Sequence, residues 1–280
     1  MFEARIEQGN LLKKLVDGIK DLVTDVNFDL SSNGLGMQAM DTSHVSLVSF
    51  LLEADGFKEF RCDRARSLGV SVASLQKVLK CAGADDIITL KADDDGDVMS
   101  LMFESPDGDR ISDFELKLLD IDSEHLGIPE SDFAAQVSLS SAEFKRLTTD
   151  LMSIGPNVNI SVTKDGVKFS TTGDIGTANV TLRHGHNERS EAKETKNKKE
   201  AISTSIEMVT PVSLNFSAKY IVSFAKASAL SDKVTLTLTK DLPLMVQFRM
   251  EDVGYLRFYL APKIDDDDVA EEGGAGNDEE

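Results

Sequence analysis

Hydrophobic positions along this chain fall into two periods that alternate in a fixed order. Leu12, Leu15, Val16, Ile19, Leu22 and Val23 recur at three- and four-residue steps, which predicts a helix with one apolar stripe. The pattern then changes to strict alternation, breaks at a glycine turn (Asn33-Gly34) and alternates again to Asp41. The same helix–strand–turn–strand unit returns over Ala142–Asp174, with its turn at Asp165-Gly166. A second version, a lysine-bearing helix feeding two long strands, occupies Val72–Ser105 and returns over Phe216–Met250. The order is A-B-A-B, so the chain is expected to fold as two similar halves of α+β class.

The polar faces of these helices carry the same sign. The first places Lys13, Lys14 and Lys20 outside its apolar stripe. The second buries Val72, Leu75, Val78 and Leu79 and presents Lys77 and Lys80. The third buries Phe144, Leu147 and Leu151 and presents Lys145 and Arg146; the fourth buries Tyr220, Ile221 and Phe224 and presents Lys219 and Lys226. One such helix is an ordinary solvated face. Recurrence on every copy, in a chain of formal net charge -19, predicts one shared electropositive surface on an otherwise acidic protein.

Two alternating segments end repeats where a sheet would leave an unpaired edge. Arg110–Leu118 puts Ser112, Phe114, Leu116 and Leu118 on one face and Ile111, Asp113, Glu115 and Lys117 on the other; Thr177–Arg183 alternates through Ala178, Val180 and Leu182. Edges of this kind are normally covered or paired, and head-to-tail pairing between chains generates a closed ring. Leu119–Ala134 has no sustained period and reads as a surface connector between the halves, with Leu126 and Ile128 set unusually in an acidic context.

Composition narrows the function classes. The 280 residues suit two domains, and no apolar run approaches a membrane span or a secretory signal, which predicts a soluble intracellular protein without membrane partners. The two cysteines, Cys62 and Cys81, lack metal-site or redox spacing and are expected to be buried small hydrophobes. There is no glycine-rich phosphate loop, nucleophile elbow or usable Cys-His pair. Asp93-Asp94-Asp95-Gly96-Asp97 fails as a calcium loop: with Gly96 sixth, Lys91 falls first and Met102 at the bidentate twelfth position, so the run is a hairpin turn. No enzyme, cofactor or metal is therefore expected.

The words of the sequence add a resemblance. MFEARIEQG, LLKKLVDGIKDL, MDTSHVSLV, FRCDR, KVLKCAGADDIITL, HLGIPE, KDGVKFSTTGDIG and YLRFYLAPKI, in order from Met1 to about Ile264, resemble the proliferating cell nuclear antigen family of eukaryotic DNA sliding clamps. That resemblance implies nuclear, homotrimeric rings of six similar domains around duplex DNA, with helices inside and antiparallel sheets outside. It implies loose, sequence-independent phosphate contacts by Lys13, Lys14, Lys20, Lys77, Lys80, Arg146, Lys219 and Lys226. It implies a trimer interface at Arg110, Ile111, Asp113, Glu115 and Lys117 against Ala178, Val180 and Leu182. A peptide carrying glutamine, an aliphatic residue and two aromatics is expected in a pocket of Met40, His44, Val45, Leu47, Leu126, Ile128, Pro243, Tyr259, Ala261 and Pro262. The implied partners are DNA polymerases, the ATP-dependent clamp loader, flap endonuclease and DNA ligase, with ubiquitin-like modifiers at Lys164.

The corresponding division is a domain over 1–118, a connector over 119–134, a second domain over 135–264 and an acidic tail over 265–280, with a polar insert at 184–200. Insert and tail are longer than the family usually shows and are expected to be disordered. The insert's His184-Gly185-His186 reads as incidental rather than metal-binding. Thr149 and Ser153 are neutral where the family often has basic groups, which weakens the third helix as a DNA contact. Two other readings stay open on the residues alone. One is a subunit of a heterotrimeric checkpoint clamp; the other is an acidic chromatin-binding or histone-chaperone module, which leaves the basic helices unexplained.

Overall fold

The computed structural model describes residues 1–122, 126–127, 132–185, 202–240 and 242–263. The first half runs β1 (Phe2–Ile6), α1 (Gly9–Ile19), β2 (Asp25–Ser31), β3 (Gly34–Met40), β4 (Ser46–Glu53), β5 (Glu59–Cys62), β6 (Arg66–Ser71), α2 (Val72–Leu79), β7 (Ile87–Ala92), β8 (Val98–Glu104) and β9 (Ile111–Lys117). The second runs β10 (Ala135–Ser140), α3 (Ser141–Met152), β11 (Asn157–Thr163), β12 (Gly166–Gly173), β13 (Gly176–Leu182), β14 (Ser205–Met208), β15 (Val212–Ser217), α4 (Ala218–Phe224) with a 3-10 turn at Ala225–Ala229, β16 (Lys233–Leu238), β17 (Leu244–Met250) and β18 (Gly254–Leu260).

The repeat read from the hydrophobic pattern is present with constant spacing. α1, β2 and β3 start at Gly9, Asp25 and Gly34, and α3, β11 and β12 start at the same intervals from Ser141. α2, β7 and β8 correspond in the same way to α4, β16 and β17. The two A-unit turns need glycine, because Gly34 and Gly166 sit at φ 141° and 144°, where an L side chain is strained. α3 begins on a side-chain cap, the Ser140 hydroxyl accepting the Glu143 N–H at 3.4 Å. α1 is shorter than its apolar stripe predicts. It ends at Ile19, with Lys20 as its C-cap, and Leu22 and Val23 are buried from the turn that follows.

Three antiparallel sheets result, in the orders β5-β1-β7-β8-β9, β13-β12-β11-β15 and β14-β10-β16-β17-β18-β4-β3-β2-β6. The nine-stranded sheet is a B sheet of the second half joined to the A sheet of the first. Its seam is β18 against β4, in register from Leu260↔Ser46 to Gly254↔Leu52. The helices lie in one layer: α1 packs against α2 and the 3-10 turn, and α3 against α4 and that same turn. Apolar helix stripes and inward strand residues merge into one core that crosses the seam, where Phe224 stacks on Phe258 at 4.6 Å between ring centroids.

Cys81 departs from the expectation of burial. It is exposed just past the end of α2, whose buried side is already supplied by Val72, Leu75 and Leu79, and Cys62 is only half-buried. Among the described residues no helix is long and apolar enough to cross a membrane. Asp93–Asp97 lies in the β7–β8 turn, where the Gly96 N–H donates to Asp93 O at 3.2 Å.

Candidate functional site

The helix layer buries one side of each helix and leaves the other to solvent. Lys20, Lys77, Lys80, Arg146, Lys219 and Lys226 are exposed on that solvent side, and Lys13 and Lys14 are half-buried. The face is cationic but not uniformly so. Lys13 Nζ donates to Ala82 O at 2.5 Å, Lys20 pairs with Asp17 at 2.9 Å, Arg146 with Glu143 at 3.0 Å and Lys226 with Asp21 at 2.8 Å. Burial pushes the Asp17 carboxyl up, while hydrogen bonds from Lys20 and Gln76 hold it below its ordinary value. Interleaved acids and long exposed stems give a diffuse positive face with no fixed geometry.

The second feature is a pocket of about 680 Å³ on the nine-stranded sheet. Its floor is a single cross-strand row, Thr237–Met245–Tyr259–Leu47–Met40, running through β16, β17, β18, β4 and β3. It therefore straddles the seam. Of the residues expected here, Met40, His44, Val45, Leu47, Leu126, Pro243, Tyr259 and Ala261 line it. Pro262 is half-buried beside it without lining it, and Ile128 lies outside the described residues. Gly127, Thr237, Thr239, Leu242, Met245 and Arg257 also line the pocket and were not expected. Met245 and Thr237 were findable: once Tyr259 is placed on the outer face, the antiparallel register puts both beside it.

The next polar row builds the clamp on the connector. Thr235, Gln247, Arg257, Ser49 and Gln38 are partners in register across the same strands. Arg257 donates to Gln247 at 2.7 Å and lies 3.9 Å over the Tyr255 ring. At the row's end the Gln38 amide grips the connector twice, donating to Leu126 O and accepting the Leu126 N–H, both at 2.9 Å. Further back the connector bonds to the sheet through Leu119 N–H to Gly69 O at 2.8 Å and Asn27 Nδ2 to Ile121 O at 3.1 Å. Gly69 has no Cβ to strike the Leu119 carbonyl, so the connector can lie directly on β6. Leu126 stays 44% exposed at the pocket mouth, an apolar group held out for contact.

β9 and β13, the segments expected at a trimer interface, are outermost strands of their sheets. β5 is a further edge strand, and three more edges are covered from within the chain. Leu119 covers β6, Lys263 N–H donates to Asn215 O on β15 at 2.8 Å, and Ile206 N–H of β14 donates to His184 Nδ1 at 3.2 Å. Ile111, Asp113, Glu115 and Lys117 are exposed along β9, with Ile111 58% accessible. On β13 the named side chains point inward: Leu182 is buried, and Ala178 and Val180 pack against the core. The strand's outward offer is its backbone with Asn179 and Thr181, because period-two alternation sends the apolar set to the chain's own core. Arg110 is already engaged, its guanidinium pairing with buried Asp86 at 2.7 Å. Lys164 is exposed in the β11–β12 turn. His184 caps β14, and His186 lies outside the described residues, as do most of the insert and the tail.

A doubled repeat with its helices in one cationic layer and three antiparallel sheets, with β9 and β13 at open edges among the described residues, is the architecture of a two-domain DNA sliding clamp. Comparison with known proteins bears this out. Residues 1–125 match the family model for the proliferating cell nuclear antigen N-terminal domain, and residues 127–263 match that for the C-terminal domain. The proliferating cell nuclear antigen of Chaetomium thermophilum is 54% identical over 268 residues, which cover 96% of this chain and all of that protein. The chain belongs to the proliferating cell nuclear antigen family, a family of clamps and scaffolds rather than enzymes.

Proposed function

We propose that three copies of this chain close head to tail into a ring around duplex DNA, and that the ring acts in the nucleus as a processivity factor for replicative polymerase. One observation carries the reading. The seam inside the chain joins the last strand of an A sheet, β4, to the last strand of a B sheet, β18. The repeat makes β13 the counterpart of β4 and β9 the counterpart of β18. Those two strands are left open, so the junction made once within the chain is available between copies, antiparallel and through the backbone. A repeated heterologous contact that closes gives a cyclic assembly.

In such a ring the layer of α1, α2, α3 and α4 faces the bore. Retention comes from topology, so the phosphate contacts of Lys13, Lys14, Lys20, Lys77, Lys80, Arg146, Lys219 and Lys226 stay weak enough for sliding. The pocket recruits polymerases, clamp loader, flap endonuclease and DNA ligase through a peptide with glutamine, an aliphatic residue and two aromatics. The apolar row of Met245, Tyr259, Leu47 and Met40 takes the hydrophobic side chains. Lys164 is exposed and accessible for ubiquitin-like modification. The halves divide as domains at 1–118 and 135–264, with the 119–134 connector crossing the shared sheet.

Light scattering across a dilution series tests the assembly. A particle of about 90 kDa, three times 30.5 kDa, that is retained on closed circular DNA and lost from linear DNA supports the ring. A stable 30.5 kDa monomer overturns it in favour of a clamp assembled from different chains.

A further inference from the structure

The loop between β3 and β4 has no counterpart in the second half. There the equivalent strands, β12 and β13, are joined by the two-residue turn Asp174–Ile175, whereas Asp41–Val45 separates β3 from β4. The fold therefore does not need the longer loop, and His44 and Val45 of that loop line the pocket. The loop is built around one carboxylate. Asp41 is 5% exposed and accepts the N–H groups of Ser43 at 3.0 Å, Val45 at 2.9 Å and Ser46 at 2.6 Å. The Ser46 hydroxyl adds a contact at 3.2 Å. From the other half of the chain, the Tyr220 hydroxyl on α4 donates to the same carboxylate at 2.8 Å. His44 is held at φ 55°, an uncommon conformation for a residue with a side chain, and its N–H donates to Asp41 O at 2.9 Å. Val45 O in turn accepts the N–H of Ala261, another pocket residue, at 3.3 Å.

We propose that Asp41, held across the seam by Tyr220, is the positioning residue that sets the rim of the peptide pocket. It touches no peptide itself; it fixes His44 and Val45, and it ties their loop to a helix of the cationic layer. Burial pushes the Asp41 carboxyl up, but the Ser46 N–H, the Tyr220 hydroxyl and the Ser43 and Val45 N–H groups outweigh it and keep the group ionised, its strongest acceptor form. This assignment rests on the pocket being the peptide site.

The test is titration of a fluorescent glutamine–aliphatic–aromatic–aromatic peptide onto the full-length protein and its Y220F, D41N and Y220F/D41N variants. Amide hydrogen exchange at Ser43, Val45 and Ser46 is followed without peptide on the same proteins. Y220F removes one oxygen, and the expected result is peptide affinity about tenfold weaker, the scale of one hydrogen bond to a charged group. D41N is expected to weaken binding further, and the double variant to lie close to D41N, because the Tyr220 hydroxyl reaches only the carboxylate and Ser43 of the loop that the carboxylate holds. Faster exchange of the three amides in Y220F supports the clamp. Additive losses mean that Tyr220 acts by helix packing and overturn the proposal, as does unchanged exchange. Wild-type binding equalled by every variant overturns the positioning role alone. A wild-type protein that does not bind the peptide overturns the pocket reading, and the positioning role with it.

Discussion

The seam β4–β18 and the open strands β13 and β9 correspond by the repeat, and they differ in the side chains around them. Among the described residues two side-chain hydrogen-bonded ties reach between the halves at the seam: Tyr220 to Asp41 at 2.8 Å and Lys226 to Asp21 at 2.8 Å. Moved by the repeat spacing, Tyr220 becomes Ser74 and Asp41 becomes Gly173; Asp21 becomes Ser153 and Lys226 becomes Lys80. Neither tie exists at the open edges. In the proposed ring the junction inside the chain carries these locks, and the one between copies would rest on backbone pairing and exposed apolar groups such as Ile111.

The largest effect is expected where the open junction has least in reserve. I111D puts a charge on the exposed β9 edge where the proposed ring closes, and the expected result is a monomer by light scattering with an unchanged melting profile for the chain itself. A chain that unfolds instead would mean that β9 belongs to the seam's class of junction. Next comes the bore. K20A/K77A/K80A is expected to leave the trimer intact, lower clamp loading and polymerase processivity on primed circular DNA about tenfold and flatten the salt dependence of loading by up to about 2.7 in the log–log slope. Unchanged processivity would show that the bore does not act electrostatically.

The seam's own lock has a pH signature. Asp41 is held below the ordinary aspartate value of 3.8, so its contribution is fully present above that pH and is lost as pH falls through the lower folded value. Exchange of the Ser43, Val45 and Ser46 amides, corrected for intrinsic rates, should rise on acidification below about pH 4 in the wild type. In D41N it should be high and flat. A smaller effect comes from giving the open edges a lock they lack: S153D, which the proposed ring would set opposite Lys80 of the next copy, should slow subunit exchange a few-fold at low salt and not at high salt. Smallest is D21N. Its pair with Lys226 has side chains 45% and 47% exposed, and such pairs contribute under about 1 kcal/mol, so melting should barely move. A large shift would make the ion pair, rather than the strand ladder and Tyr220, the seam's principal tie.

Much of this architecture was legible in the chain. The switch from helical to alternating period located the repeated elements, and the basic positions outside each stripe located the cationic face. Alternation in Arg110–Leu118 and Thr177–Arg183 marked the edge strands. The apolar signal misjudged the end of α1, because Leu22 and Val23 are buried without being helical. It also misassigned Cys81, because a hydrophobic residue type carries no information on which side of a helix end it falls. The pocket was only partly readable: Met40, Leu47 and Tyr259 came from matching words, whereas Thr237, Met245 and Gln38 follow from strand register.

Sequence by itself determined the periods, the repeat and the sign of the helix face, since each depends on spacing along one segment and on the local preference of backbone and side chain. Only the tertiary structure decided which edges meet within the chain, which remain open, and which distant residues share a carboxylate. Asp41 and Tyr220, or Gln38 and Leu126, are far apart in the chain and bear no mark of each other. They become partners because β18 pairs with β4 and the connector crosses β3, and pairing between segments is fixed by how the whole set of apolar faces can be buried at once.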